Sequence, residues 1–231
     1  AQHARIKDEL MSAVSAVMDH GMFVLGKEVA EFEQRFAALC GVQHAAGVNS
    51  GTDALIIALE ALGIGPGDEV ITVANSFLAS TSCITLVGAQ PVLIDVREDF
   101  NMDPDLIEQA VTPRTKAILP VHLTGRPADM DPIMDIAQRH GLRVIEDCAQ
   151  STGATYKGKR TGSIGHHAYY TFGLTKNITT LSGAMVTSGD PTVAAHIRAA
   201  IETGGHTSKW KAMKEALTGT AMFMATHPWM D

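Results

Sequence analysis

The chain has 231 residues, 45% of them hydrophobic and 19% charged, with a formal net charge of −7. This is the composition of a globular protein long enough for one large domain or two small ones. Net negative charge without a basic block argues against non-specific nucleic-acid binding, though not against phosphorylated ligands, whose sites are local arrangements of N–H groups.

Cys40, Cys83 and Cys148 show no CxxC spacing and are expected to be buried free thiols in a reducing compartment, with no metal bound. There is no signal-peptide pattern, and no stretch approaches the about 18 uninterrupted apolar residues of a membrane helix, so a cytoplasmic protein without a membrane partner is expected. The chain begins at Ala1 and stops at Trp229-Met230-Asp231 without a closing element. A piece of a longer protein is therefore expected, lacking material mainly at the C-terminus.

Taken in chain order, residues 5–19 and 27–40 read as amphipathic helices, the second with Val29, Phe32, Phe36 and Leu39 at helical spacing. Asn49-Ser50-Gly51-Thr52-Asp53 precedes a helical run from Ala54 to Leu62, with Ser50 and Asp53 in capping-box spacing. Gly63, Gly65, Pro66 and Gly67 end that run. Glu69 to Val73 reads as a strand, Phe77 to Val87 as a helix, and Pro91 to Val96 and Lys116 to Val121 as strands. A helix from about Asp131 to His140 breaks at Gly141, and the strand Leu142 to Asp147 comes next. Ala168 to Phe172 and Ala184 to Thr187 are two strands without a full helix between them, and Asp190-Pro191 opens a helix to about Glu202. Strands alternating with helices imply right-handed crossovers and an α/β fold, a mostly parallel central sheet with helices on both faces; residues 168–187 break that alternation.

Several residues carry possible chemistry, each beside a plainer reading. Lys176 stands in a polar, glycine-containing turn one βα unit after Asp147, which ends an apolar strand. A lysine amine that forms a Schiff base and a carboxylate that keeps a pyridine nitrogen protonated are the pair needed by pyridoxal 5'-phosphate (PLP) chemistry. Such a lysine needs partial desolvation, whereas most lysines lie on the surface, as Lys157 and Lys159 are expected to. Asp147 is at the carboxyl end of a strand, where open α/β sheets bind ligands; otherwise it caps the next turn. Ser50-Gly51-Thr52 opens a helix and can seat a phosphate on free N–H groups, or is simply a capped helix start. Gln150 can reach a ring oxygen or the local backbone, and Thr171 a phosphate oxygen or nothing. Phe77 can stack on a flat ring or pack in the core. His166 and His167 are neighbours on a strand, face opposite ways and cannot form one metal site.

Together these segments resemble the DegT/DnrJ/StrS group of PLP-dependent sugar aminotransferases, with the PLP-transferase type I fold seen in aspartate aminotransferase. The matching pieces are Gly26-Lys27-Glu28-Val29, Asn49 to Leu55, Gly65 to Ile71, Pro91 to Val96, Val121 to Gly125, Ile145 to Gln150 and Phe172 to Asn177, so the resemblance runs from about residue 20 to 190. It implies Lys176 as Schiff-base lysine and proton shuttle, Asp147 as partner of the pyridine nitrogen, Gln150 near the ring oxygen, and Phe77 stacked on the ring. It also implies phosphate contacts from Ser50, Gly51, Thr52 and Thr171. The chain departs from the family pattern at Gly165-His166, Tyr170-Thr171-Phe172 and Ser182-Gly183, and Thr218 to Met230 does not match the segment expected after the large domain.

The resemblance divides the chain into a helical segment over 1–24, a PLP-binding large domain over 25–203, and the start of a connection to a small C-terminal domain over 204–231. It implies a cytoplasmic homodimer whose second subunit completes the site. The implied activity moves an amino group, with glutamate as expected donor, to a keto group of a nucleotide-linked sugar, as in deoxyaminosugar and polysaccharide biosynthesis. Two alternatives stand beside it: a PLP-dependent sugar dehydratase, in which histidine usually replaces the lysine, and a non-catalytic regulatory relative.

Overall fold

The computed structural model describes residues 5–204. Its strands build one seven-stranded sheet, and the order of those strands decides where a site can form. The elements are α1 (Lys7–His20), α2 (Lys27–Cys40), β1 (His44–Val48), α3 (Gly51–Ala61), β2 (Glu69–Val73), α4 (Leu78–Leu86), β3 (Gln90–Ile94), α5 (Pro104–Ala110) and β4 (Thr115–Ile118). After a short 3-10 turn at Leu123–Gly125 come α6 (Met130–His140), β5 (Arg143–Asp147), a small hairpin of β6 (Thr155–Tyr156) and β7 (Lys159–Arg160), β8 (His167–Thr171), β9 (Ala184–Ser188) and α7 (Pro191–Gly204).

The sheet order is β1-β9-β8-β5-β4-β2-β3. The pairs β8·β5, β5·β4, β4·β2 and β2·β3 are parallel, while β9 runs antiparallel to both β1 and β8. The expected break at 168–187 is thus one reversed strand inside a parallel sheet. Strand β2 is buried along its whole length, as a parallel strand covered on both faces must be. Strand β3 is the edge, and Pro91 is tolerated there because an edge strand has a side with no neighbour to receive its N–H groups.

Alternation along β8 separates two cores. Ala168, Tyr170 and Phe172 pack with Phe36, Cys40, Cys148 and Met185 under α2, whereas Tyr169 joins the main cluster with Leu55, Leu59 and Ile84 from α3 and α4. Tyr170 is held by its hydroxyl, which donates to Thr161 O at 2.8 Å. All three cysteines are buried and free, and burial pushes the Cys83 thiol up to about 12.

Several expected bounds shift, β3 among them, which ends at Ile94 rather than Val96, and several elements were not expected. Helix α3 starts at Gly51 rather than Ala54, because Ser50 caps it: its Oγ accepts from Asp53 N–H at 3.1 Å. The fourth strand stops at Ile118, and Val121 makes only an isolated bridge to Asp147. Phe77 is the N-cap of α4, with extended backbone, rather than its first helical residue. Strand β1, helix α5 and the β6–β7 hairpin complete the structure. Lys157, in that hairpin, is a surface lysine paired with Asp131, and Lys159 is exposed. Except for Gly204, the expected connection over 204–231 lies outside the described residues, as does Thr218 to Met230.

Candidate active site

Strands β1, β2, β5 and β8 all point their carboxyl ends to one edge of the sheet, and β9 starts there, with Ala184 opposite both Val48 and Thr171. The segments leaving that edge carry the candidate residues. A cleft of about 260 Å³ brings together Gly51, Thr52, Phe77, Asp147, Gln150, Thr171 and Lys176. Ser50, the eighth, does not line it; its hydroxyl is spent on the α3 cap and on Asp53 Oδ2 at 2.9 Å.

Asp147 lies on the cleft wall with only 2% of its surface exposed. Its Oδ1 accepts from Ala149 N–H at 3.0 Å and its Oδ2 from Ser80 Oγ at 3.0 Å. Burial pushes the carboxyl up, against the pull of the Tyr169 hydroxyl, the Ala149 N–H and Ser80. Among the described residues no cation pairs with it. A buried carboxylate held only by neutral donors gains from a cationic partner, and a protonated ring nitrogen is one.

The neighbouring acid serves the opposite face. Glu146 Oε2 accepts from His122 Nε2 at 2.9 Å and Gly162 N–H at 2.8 Å, and Oε1 accepts from the N–H groups of Ile164 and Gly165. Burial raises the Glu146 carboxyl, but His122 and those N–H groups outweigh it and hold it below the usual range. His122 Nδ1 accepts from Ala128 N–H at 3.0 Å, which leaves Nε2 to carry the proton toward Glu146. His122, Glu146 and Cys148 lie close enough to hold an ion, yet the hydrogen bonds already occupy the imidazole and both carboxylate oxygens. This buried network braces the end of β5 that presents Asp147.

The rest of the cleft is made of groups with spare capacity. Phe77 is 74% exposed, without a ring partner among the described residues, so ordinary core packing does not account for it. Gln150 Oε1 accepts from Thr124 N–H at 3.0 Å, which leaves its NH₂ as the free end. Thr124 achieves this in a left-handed conformation, φ 54°, uncommon for a non-glycine residue. At the start of α3, the N–H groups of Gly51 and Thr52 have no partner in the first turn. A Cβ at Gly51 would stand 3.2 Å from Thr171 Cβ, so glycine keeps the space between helix and strand open.

Lys176 is half-buried, in a loop tied down on both sides. Its N–H donates to Gly173 O, Asn177 Nδ2 donates to Thr152 O at 2.9 Å, and Thr179 Oγ1 and Thr180 N–H both donate to Phe172 O. Its Nζ has no hydrogen bond or ion pair among the described residues. A carboxylate awaiting a cation, an exposed aromatic face, unpaired helix-start N–H groups and a free amine together fit a flat, phosphorylated, nitrogen-containing ring.

Sequence reasoning did not find Ser76, Ser80 and Tyr169. Ser76 Oγ lies 2.9 Å from Ser80 Oγ, and the pair was legible as an i, i+4 repeat beside Phe77. Tyr169 shares a strand face with Thr171, two residues on. The departures at Gly165-His166 are structural: His166 Nδ1 accepts from Val144 N–H at 3.0 Å, and a Cβ at Gly165 would meet Val144 O at 3.0 Å. His167 pairs instead with Ser188, so the two imidazoles have separate partners.

Fold and cleft define an α/β protein with a carboxylate and a lysine at the carboxyl edge of a mostly parallel sheet. The chain belongs to the DegT/DnrJ/EryC1/StrS aminotransferase family, whose model matches residues 4–227. It is 46% identical over 200 residues to dTDP-3-amino-3,4,6-trideoxy-alpha-D-glucose transaminase of Streptomyces venezuelae, covering 86% of this chain and 53% of that protein. Among solved structures, S. venezuelae DesV in complex with a ketimine intermediate superposes with a TM-score of 0.85 at 44% identity, covering 90% of this chain and 57% of the other. NtdA from Bacillus subtilis, with bound cofactor PMP, gives 0.78 at 35% identity, covering 82% of this chain and 43% of the other. The chain thus spans about half the length of these relatives.

Proposed function

We propose that the protein is a PLP-dependent aminotransferase that moves an amino group from an amino acid, glutamate as expected donor, to a keto group on a nucleotide-linked sugar, a step of deoxyaminosugar or polysaccharide biosynthesis. One observation carries the reading. A buried Asp147 and a half-buried Lys176, without a cation or a partner among the described residues, share one cleft. The relatives' names supply the substrate class.

PLP bound in the cleft would supply an electron-withdrawing ring that accepts the electron pair released when a donor's α-proton leaves. Asp147 would pair with a protonated ring nitrogen, since among the described residues no cation pairs with it. Lys176 would anchor the cofactor and serve as the base that moves the proton. Phe77 would cover the ring face, the Gln150 NH₂ would donate to the ring oxygen, and the Gly51 and Thr52 N–H groups with the Thr171 hydroxyl would hold the phosphate. Ser50 acts on that phosphate only through its cap on α3.

In this reading the cofactor-binding large domain takes in residues 25–203, and α1 belongs to a helical segment before it. A homodimer is supported by α1, which has no buried side chain and exposes Leu10, Met11, Val14 and Met18, with Phe23, Val24 and Leu25 exposed just beyond it. Among the described residues no helix is long and apolar enough to cross a membrane, and the free thiols support a cytoplasmic protein.

In a form of the protein that turns over, Lys176→Ala is expected to lower transamination by about 10³-fold or more. Wild-type turnover in Lys176→Ala overturns the reading.

A further inference from the structure

Asp147 reaches the cleft from β5, but the group that fixes its carboxylate comes from α4. Ser80 is buried in the first turn of that helix, and its Oγ donates to Asp147 Oδ2 at 3.0 Å. Because Ser80 spends its only proton there, it must accept from Ser76 Oγ at 2.9 Å. Ser76 is one turn earlier and lines the cleft. The other oxygen, Oδ1, is held by Ala149 N–H at 3.0 Å. Two donors on different oxygens, one from a helix and one from the chain after β5, fix the plane of the carboxylate.

We infer that Ser80, supported by Ser76, is a positioning residue that fixes the Asp147 carboxylate and sustains its charged form for the ring nitrogen. This deepens the proposed function and rests on it. Ser80 does not line the cleft; it acts through Asp147. A hydroxyl donor lowers the energy of the ionised carboxylate and is wasted on the protonated one. Removing it therefore makes Asp147 a weaker anion and a poorer partner for a protonated ring.

The other groups around the carboxylate leave Ser80 a distinct part. Tyr169 from β8 and the Ala149 N–H also favour the charged form. Cys83, one turn after Ser80, is buried with its thiol pushed up to about 12 and stays neutral. Lys176 faces the same cleft. Ser80 is therefore the donor on Oδ2 whose loss can be made without touching the cleft wall.

The test tracks the Asp147 carboxyl directly by carbon NMR of the cofactor-free chain labelled in aspartate, with Asp147→Asn identifying the signal. Ser80→Ala is expected to raise its titration midpoint by about one pH unit or more, the loss of a hydrogen bond to a charged group. Ser76→Ala, which leaves the Ser80 hydroxyl in place, is expected to move it less. A second readout is the pH titration of visible absorbance after loading with PLP, expected to shift in Ser80→Ala and to stay near wild type in Ser80→Thr, which keeps the hydroxyl. An unchanged Asp147 midpoint in Ser80→Ala overturns the inference. Failure of PLP to bind the unsubstituted protein at all overturns the proposed function instead, and the carboxyl titration still decides the part of Ser80.

Discussion

Replacing Gly51 by alanine separates the phosphate seat from the fold that carries it. Gly51 is the first residue of α3, where the backbone suits any residue, so the substitution is compatible with the local conformation. Its new methyl would stand 3.2 Å from Thr171 Cβ and 3.5 Å from Thr171 Oγ1, between the two groups assigned to the phosphate. Either Thr171 gives by a few tenths of an ångström or the phosphate is displaced. The loss of one charge-assisted hydrogen bond is worth about 1.5–3 kcal/mol, which lowers PLP affinity about tenfold to a hundredfold. Stability of the cofactor-free chain is expected to stay within about 1 kcal/mol of wild type, because the gain of Gly→Ala at an allowed position opposes the tight contact. The assay is a PLP titration by absorbance beside a urea melt without cofactor. Undiminished PLP affinity in Gly51→Ala would refute the placement of the phosphate at α3.

Gly162→Ala is expected to destabilise the chain by about 3 kcal/mol or more, because its Cβ would fall 1.8 Å from the Tyr170 hydroxyl and its φ is +87°. Gly153→Ala, with φ +88° and nothing within 4 Å, is expected to lose only about 1 kcal/mol, and equal urea midpoints for the two would sink the steric argument. Burial lowers the His167 pKa from 6.5 to about 4, so the unfolded chain binds a proton in that window and the folded one does not. Stability present above pH 6.5 is therefore lost as pH falls toward 4, by up to about 3 kcal/mol. His167→Gln should flatten that slope in urea midpoints taken at several pH values. The comparison cancels the opposing contribution of Asp147, and identical slopes would contradict it.

Most of the sheet was legible because its strands are apolar runs bounded by glycine, proline or acids. Glu69 to Val73 reads as a strand with no competing pattern, and it is buried throughout. Strand β1 escaped notice because His44-Ala45-Ala46-Gly47-Val48 has one β-branched residue and no alternation; its pairing with β9, rather than its own propensity, makes it a strand. The start of α3 at Gly51 was obscured by glycine and threonine, poor helix formers that the Ser50 cap rescues. Seven of the eight expected site residues gather in one cleft because they lie in the segments that leave the carboxyl ends of strands; Asp147 and Thr171 were legible as strand ends, Gly51 and Thr52 as a helix start. Ser80 is not at a strand end. Its importance comes from a contact 67 residues along the chain, which local pattern cannot show. Glu146 and His122 are similar: alternation separates Glu146 from Asp147, but only the fold brings His122 to it.

The central claim is that Lys176 holds a cofactor that Asp147 keeps protonated. It is tested most directly by the visible spectrum of the purified protein supplied with PLP, before and after borohydride, with mass mapping of the reduced peptide. The account predicts a visible band that borohydride abolishes and a pyridoxyl group on Lys176. A stable PLP adduct on another lysine, with Lys176 unmodified, would contradict it.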